Sequence, residues 1–560
     1  MVRLVALGGL GEIGLNLMVL SVGEDSFIID CGVQFPDASM PGADLVLPDL
    51  RYLEGISGRI RALILTHGHE DHIGAVPHVL KLCPVPVYGT PFTLGLVHEK
   101  LLEHGLAGTV HTIPITPATT LPLGDVTFEF VRVTHSIPDC VSLVARTPAG
   151  TIIHTGDWKI DKDPVDGQHF DRARFEALGD EGVHLLLSDS TNAEVPGWNR
   201  GEREVAAAIE SRVAAWEGRV LVTLFSSNVH RVGQVFDIAK RCGRKVCLVG
   251  RSLQKYVAVA RSVGIFTHSL GDVVDSRKLD TMAGRDVLVI LTGSQGEGRS
   301  ALAQAALGEH RDLVIGPEDL LIFSSRKIPG NERAIARMIN AIARQGAHVV
   351  HGYGTGVHTS GHAARDELAE MLVLTRPRHF VPVHGEYAFL QRHAELAREL
   401  GVQNTLVAEN GHILDVTPES VSISGRVRLS NYYVDADITA DADALELHER
   451  VRLAWNGVVS VWLRVERTRE GIRVVPRLSS HGLYTDEERL IGACATYLAD
   501  EMALLPAFAP ARDISDSAEL LVRRYFKRAT GKKPVVLVAL EEVAEVAAVS
   551  QRSQVPEAHA

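Results

Sequence analysis

The chain has 560 residues, 46% of them hydrophobic, and 57 Lys and Arg against 69 Asp and Glu give a formal charge of −12. That length calls for more than one domain, because a single core rarely grows past about 250–300 residues. The acidic balance excludes a protein that coats nucleic acid without specificity, while leaving room for a local basic channel.

Residues 2–7 read as a strand. Gly9-Leu10-Gly11-Glu12-Ile13-Gly14 then matches the dinucleotide fingerprint G-x-G-x-x-G, but that motif needs a helix directly after it. Residues 15–22 are β-branched and apolar, a turn follows at 23–25, and 27–29 is again strand-like, so the spacing predicts an antiparallel start. Asp30 ends that third strand. It is expected to accept a hydrogen bond from the back of a metal-bound imidazole and so fix its tautomer; the alternative is a turn cap before Gly32.

The apolar run 60–65 leads into Thr66-His67-Gly68-His69-Glu70-Asp71-His72 and then an apolar-periodic segment, 73–82. This reads as a buried strand, a ligand-bearing loop and a helix. Imidazole nitrogen and carboxylate oxygen suit borderline divalent metals, and His67, His69, Asp71 and His72 are too close in sequence for all four to face one ion. Two adjacent ions are therefore expected, with Glu70 as a solvent-facing spacer. Further on, the strand 126–133 delivers His135, and the strand 151–154 delivers Asp157, a carboxylate suited to lie between two cations and offset their repulsion.

Another buried strand, 183–187, ends in Ser188-Asp189-Ser190-Thr191-Asn192. A helix at 202–216 precedes the strand 219–224, which ends at Ser226, Ser227 and Asn228. Strands at 246–249, 287–291 and 320–323 alternate with helical segments, the pattern of an inserted parallel α/β domain. Within it, residues 293–300 nearly spell a phosphate-binding P-loop, but Arg299 stands where the phosphate-gripping lysine belongs, so a plain glycine-rich loop is expected. At 349 and 350 the first domain resumes. The loop 351–362 is rich in Gly and His, and its small residues would let backbone N–H groups approach a phosphate while His358 and His362 donate to it or shuttle a proton. A strand at 379–383 delivers His384.

Beyond about residue 430 the chain turns acidic (Asp435, Asp437, Asp441, Asp443, Glu446), as a linker would. Strands at 458–465 and 535–538 with helices at 485–502 and 518–530 make a small α/β domain. Its basic cluster, Arg523, Arg524, Lys527, Arg528, Lys532 and Lys533, reads as a solvated helix face. The expected divisions are 1–199 and 348–430 for the first domain, 200–347 for the insert, 431–455 for the linker, 456–550 for the last domain and 551–560 for a disordered tail. The six cysteines have no C-x-x-C spacing, which points to a reducing compartment. Residues 1–20 lack a signal-peptide core and no apolar run approaches about 18 residues, so a cytoplasmic protein with no membrane contact is expected.

These motifs resemble the β-CASP nucleases of the metallo-β-lactamase superfamily, and among them the bacterial ribonuclease J family. The carriers are 8–14 with Asn16, 67–72, 135–139, 154–157, 188–192, 227–231, 328–332, 358–362 and 382–386. The resemblance implies a metallo-β-lactamase αββα sandwich with an inserted parallel α/β β-CASP domain and a small C-terminal α/β domain. It implies one metal on His67, His69 and His135, a second on Asp71, His72 and His384, and Asp157 between them, the ions being zinc or manganese. Ser226, Ser227, Asn228, His358, Thr359, Ser360, Gly361 and His362 would contact single-stranded RNA. Asp189, alone or with His362, would protonate the leaving 3′ oxygen; the alternative for Asp189 is to anchor a ligand. A structural calcium of some relatives maps onto Gly42, Asp44 and Asp441. Implied too are 5′-to-3′ exonuclease action favouring a 5′-monophosphate, internal cleavage, a homodimer or homotetramer, and an RNA-degradation complex. Relatives follow Gly-Ser-Gln-Gly-Glu with Pro-Met-Ser, where this chain has Gly298-Arg299-Ser300. Two other functions fit parts of the sequence: a small-molecule metallohydrolase, which leaves the insert without a task, and a non-catalytic RNA-binding subunit, whose kind usually loses ligands.

Overall fold

Alternation along the strands sets the layers of the first unit. In Val2–Gly8, Val2, Leu4 and Ala6 face one buried cluster while Val5 and Leu7 face another, the period-2 pattern of a sheet covered on both sides. This is a computed structural model that describes residues 2–543 except 38, 272, 329, 353, 437, 469–470 and 484–486. Pro329, Tyr353, Asp437, the expected helix start at Thr485 and the tail 551–560 lie outside the described residues.

Two units emerge, Met1–Phe35 with Leu45–Val434, and Pro36–Asp44 with Asp435–Ala560. In the first, an eight-stranded sheet runs in the order Val421–Arg426, His412–Val416, Val2–Gly8, Leu17–Val22, Asp25–Ile29, Ile60–Ile64, Val87–Gly89, Thr112–Pro114. The opening strands are antiparallel, as expected, and no helix follows Gly14, which removes the dinucleotide fingerprint. A seven-stranded sheet runs Asn404–Thr405, His379–Val383, Val183–Asp189, Gly150–His154, Val141–Thr147, Val126–Arg132, Thr120–Leu123. Inward side chains of both sheets meet in one apolar layer, where the Phe27 and Phe128 rings pack edge to face at 5.0 Å. Helices cover the outer faces.

Asp25–Ile29, Ile60–Ile64, Gly150–His154, Val183–Asp189 and His379–Val383 run parallel to their neighbours on the site-bearing half of each sheet. Their C-terminal ends deliver Asp30, the 66–72 loop, Asp157, Asp189 and His384 to one edge of the sandwich, the usual place for a site in an open sheet.

The insert is an all-parallel sheet in the order Lys245–Val249, Val287–Leu291, Val220–Thr223, Leu320–Phe323, His348–Val350. The last strand departs from the sequence reading: residues 349 and 350 pair with Leu321 and Ile322 and belong to the insert. In the P-loop-like stretch, Ser300 caps the short helix Ala301–Leu307, and the Gln295 side chain holds Arg326 O and Ile328 N. The loop is a brace for its neighbour.

In the second unit, Val458–Thr468 pairs antiparallel with Gly471–His481 and parallel with Val535–Val543, and helices Glu487–Met502 and Ala511–Thr530 pack on one face. The strand Gly471–His481 escaped the sequence reading. The expected linker carries the helix Leu447–Asn456. Among the described residues no helix is long and apolar enough to cross a membrane.

Candidate metal centre

Seven predicted ligands converge. His67, His69, His135 and Asp157 form one group, and Asp71, His72, Asp157 and His384 a second, each with its ligand atoms within 4.8 Å of one another. In the first, His69 Nδ1 lies 3.2 Å from His67 Nε2 and 3.0 Å from His135 Nε2, and Asp157 Oδ2 lies 3.6 and 3.7 Å from His67 and His135 Nε2. In the second, Asp71 Oδ2 is 3.3 Å from His384 Nε2 and 3.7 Å from His72 Nε2, which is 3.3 Å from Asp157 Oδ1. With zinc–nitrogen bonds of about 2.0–2.1 Å, tetrahedral donors stand about 3.3–3.4 Å apart, so these separations fit the edges of two ligand shells. Asp157 turns one oxygen to each group instead of sharing a single atom, and its buried Oδ1 has no hydrogen-bond partner.

The electrostatics agree. Burial and neighbouring imidazoles hold His67 and His135 well below the usual histidine range, and burial pushes His69 down to about 4, so the first group offers neutral nitrogens. The second pairs its imidazoles with carboxylates. Burial alone would lower His72 and His384, but Asp157 with Asp71 and Asp30 holds His72 well above its usual value, and Asp157 with Asp189 and Asp71 raises His384 to about 10. Where carboxylates draw protons so strongly, a divalent cation is drawn by the same field.

The far side of each imidazole is fixed. Asp30 Oδ2 accepts from His72 Nδ1 at 2.8 Å, while its two oxygens also take the Thr66 N–H and Oγ1–H at 2.8 Å each. Thr66 Oγ1 is 3.1 Å from His67 Nδ1. His135 Nδ1 donates to Gly361 O at 2.6 Å, and His384 Nδ1 meets Thr191 Oγ1 at 2.9 Å and Asp189 Oδ1 at 3.2 Å. His69 Nε2 lies 3.1 Å from Ser227 Oγ, a contact from the insert. Glu70, the expected spacer, pairs with Lys100. Gly32 sits where a Cβ would fall 1.6 Å from Asp71 O, so only glycine admits the ligand loop.

Asp189 is buried and fully engaged. Oδ1 accepts from Thr191 N and Oγ1 at 2.9 and 2.7 Å, and Oδ2 is 2.9 Å from His362 Nδ1. Burial opposes ionisation, but His362 and the hydrogen bonds from His362 and His384 hold it well below the usual carboxylate range. Asp189 is thus a carboxylate held against two histidines, His384 and the part-exposed His362.

The other predicted contacts divide. Ser360 Oγ accepts from Asn192 Nδ2 at 2.8 Å and from His362 N at 3.2 Å. Thr359 Oγ1 is committed to Arg200 O, and Asn228 Oδ1 caps the helix Val229–Arg241 by accepting from Arg231 N. Ser226 Oγ meets Ser252 Oγ. In the second unit, Asp44 accepts from Ala436 N and Asp441 from Ala444 N, while a Cβ on Gly42 would lie 2.5 Å from Arg450, which pairs with Asp435. These three are not gathered with other acids into a metal group among the described residues. Sequence reasoning missed Arg326, whose guanidinium reaches Asn192 beside Ser360. The signal was its place just after a parallel strand of the insert.

A two-sheet sandwich with paired His/Asp groups at one edge and an inserted parallel domain defines a metallo-β-lactamase-superfamily metallohydrolase of the β-CASP type. Family models match in chain order: Metallo-beta-lactamase superfamily at 11–166; Ribonuclease J, beta-CASP domain at 217–342; Zn-dependent metallo-hydrolase RNA specificity domain at 346–407; and Ribonuclease J C-terminal domain at 445–543. The chain is 40% identical to Ribonuclease J of Mycobacterium tuberculosis, covering 97% of each, and 36% identical to Ribonuclease J 1 of Streptococcus pyogenes, covering 96% of this chain and 97% of that one. It belongs to the ribonuclease J family. A crystal structure of a protein of unknown function from Enterococcus faecalis V583 shares the fold, with a TM-score of 0.54 at 16% identity over 75% of this chain and 100% of that one.

Proposed function

We propose that the chain is a two-metal ribonuclease that hydrolyses single-stranded RNA 5′ to 3′, prefers a 5′-monophosphate and also cuts internally. The observation that carries this is the paired donor groups sharing Asp157, with the insert-following loop 358–362 laid directly against His135. Divalent metal held there, zinc or manganese, supplies Lewis acidity: it lowers the pKa of water to roughly 7 and offsets charge on phosphate oxygens.

The chain's own residues do the rest. Asp30, Thr66, Thr191, Gly361 and Ser227 keep each ligand nitrogen's lone pair turned inward. Asp189 holds His362 at 2.9 Å, so that His362 gives its proton to the leaving 3′ oxygen. Ser360, Gly361 and His358 seat the 5′-phosphate, with Arg326 as added positive charge. A cleft between sandwich and insert admits one strand. With this reading go action in the decay and maturation of mRNA and rRNA, a cytoplasmic location, a homodimer or homotetramer and a place in an RNA-degradation complex.

The test is decay of a 5′-monophosphorylated, 3′-labelled RNA with manganese or zinc, comparing the intact chain with a His69→Ala, Asp71→Ala double variant. Release of 5′ mononucleotides by the intact chain alone is expected. RNA binding without cleavage by either would favour a non-catalytic subunit; no RNA binding at all would point to small-molecule esters. Equal rates on 5′-mono- and 5′-triphosphate RNA would refute the phosphate seat.

A further inference from the structure

Arg231 is buried, on the first turn of the helix Val229–Arg241. All five of its N–H bonds have directions to go. Nε and Nη2 grip Glu202 in a fork at 2.7–3.0 Å, and Nη1 donates to Ser324 O at 2.8 Å and approaches His358 Nδ1 at 3.1 Å. Lys159 adds a second cation 3.4 Å from Glu202. A guanidinium donates and never accepts, so His358 Nδ1 must present its lone pair.

We propose that Arg231 is a positioning residue, which fixes His358 as the neutral tautomer bearing its proton on Nε2 and makes it a standing donor to a substrate phosphate oxygen. The inference rests on the phosphate seat proposed above. Its second support is independent of Arg231: His358 Nε2 is buried and has no hydrogen-bond partner, a state that costs about 1–3 kcal/mol for a polar group and that an incoming phosphate oxygen relieves. The charged groups around the ring are Arg231, Glu202, Lys159 and Arg326, and burial together with Arg231 keeps the imidazole from charging. A donor fixed in this way stays on duty across neutral pH, whereas an exposed histidine would gain and lose its proton there. Lysine at 231 could not serve: a single ammonium cannot fork onto Glu202, reach Ser324 and face His358 together.

The experiment is nitrogen NMR of the full, metal-loaded chain labelled with ¹⁵N-histidine, the His358 signals being assigned by their loss in His358→Gln. The expected result is a protonated Nε2 and a bare Nδ1, unchanged from pH 6 to 8. In parallel, His358→Leu should lose about ten- to hundredfold in kcat/KM on 5′-monophosphate RNA relative to 5′-hydroxyl RNA, the value of one hydrogen bond to a charged group. His358→Gln keeps an N–H at the same place and should recover most of it. Arg231→Lys, if it folds, should mix the tautomers and fall between. A proton on Nδ1, or an imidazolium, in the wild-type chain overturns the role of Arg231 and leaves the seat standing. The expected tautomer with undiminished 5′-end discrimination in His358→Leu overturns the seat and, with it, the donor role.

Discussion

Replacing Asp30 by Asn changes one atom of the metal centre's support and leaves its shape alone. The residue sits at φ 56, a left-handed conformation that Asn tolerates as well as Asp, so the backbone should not move. As a carboxylate, Asp30 accepts three hydrogen bonds, from Thr66 N, Thr66 Oγ1 and His72 Nδ1, all at 2.8 Å, with both oxygens in use. An amide has one oxygen. If that oxygen keeps Thr66 N–H, the NH2 faces His72 and drives its proton to Nε2, the atom turned to Asp157; if the amide flips, NH2 faces the Thr66 N–H instead. In the first case His72 Nε2 loses the lone pair a metal needs, in the second a donor meets a donor, and either way the carboxylate charge behind His72 is lost. Loss of such a partner typically costs ten- to hundredfold in metal affinity, about 1.4–2.7 kcal/mol. Chelator competition with zinc or manganese on wild type and Asp30→Asn should read that drop in the weaker-held ion. An affinity within twofold of wild type, in a variant with an unchanged circular dichroism spectrum, would refute the argument that Asp30 acts through His72.

Three further outcomes are expected. His362→Ala removes the proposed proton carrier, a residue outside the seven predicted ligands although 3.8 Å from Asp157 Oδ2, so single-turnover cleavage should fall about 10²-fold or more while metal content by mass spectrometry stays at the wild-type value. Gly361→Ala places a Cβ 2.5 Å from Ser136 Oγ and 2.8 Å from His135 Cε1; the displaced ring should weaken binding in the His67, His69 and His135 group, seen as altered stoichiometry in calorimetric titration. Glu202 is buried, which alone would raise its pKa, yet Arg231 and Lys159 hold it at about 2, below its ordinary 4.5. A depressed carboxylate stabilises the fold fully above its unfolded pKa and loses that contribution as pH falls through the folded one. The shift is worth about 3 kcal/mol, so the melting-temperature gap between wild type and Glu202→Gln should be widest above pH 5 and close as pH drops toward 2; a gap independent of pH would contradict it.

Much of this site was legible because the chemistry sits where strands end. An apolar run followed by His-x-His-x-Asp-His identifies both the strand and the loop, and the same grammar places His135, Asp157 and His384. Contacts across the chain carry no such mark. Ser227 reads as a loop hydroxyl, and nothing near residue 227 says that it meets His69, 158 positions away. Asn228 reads as a substrate contact, and only the Arg231 N–H shows its side chain capping a helix. His348–Val350 is too short and too plainly apolar to declare which parallel sheet it joins; register against Leu320–Phe323 does that. Gly471–His481 escaped because Pro476 falls in the middle of its apolar side, Ile472, Val474 and Leu478, although its register with Val458–Thr468 is continuous over eleven residue pairs.

The centre is assembled from segments that leave the ribosome far apart. His67 to His72 emerge early, but His384 lies beyond the whole insert, Gly361 O must return to hold His135, and Val2–Gly8 gains its second neighbour only from His412–Val416. A nascent chain halted within the insert therefore lacks His384, which closes the second ligand group, and has an open sheet edge. The complete metal centre thus waits on residues 384–416, and a copy still shorter than that, tethered to its own message, holds an incomplete blade.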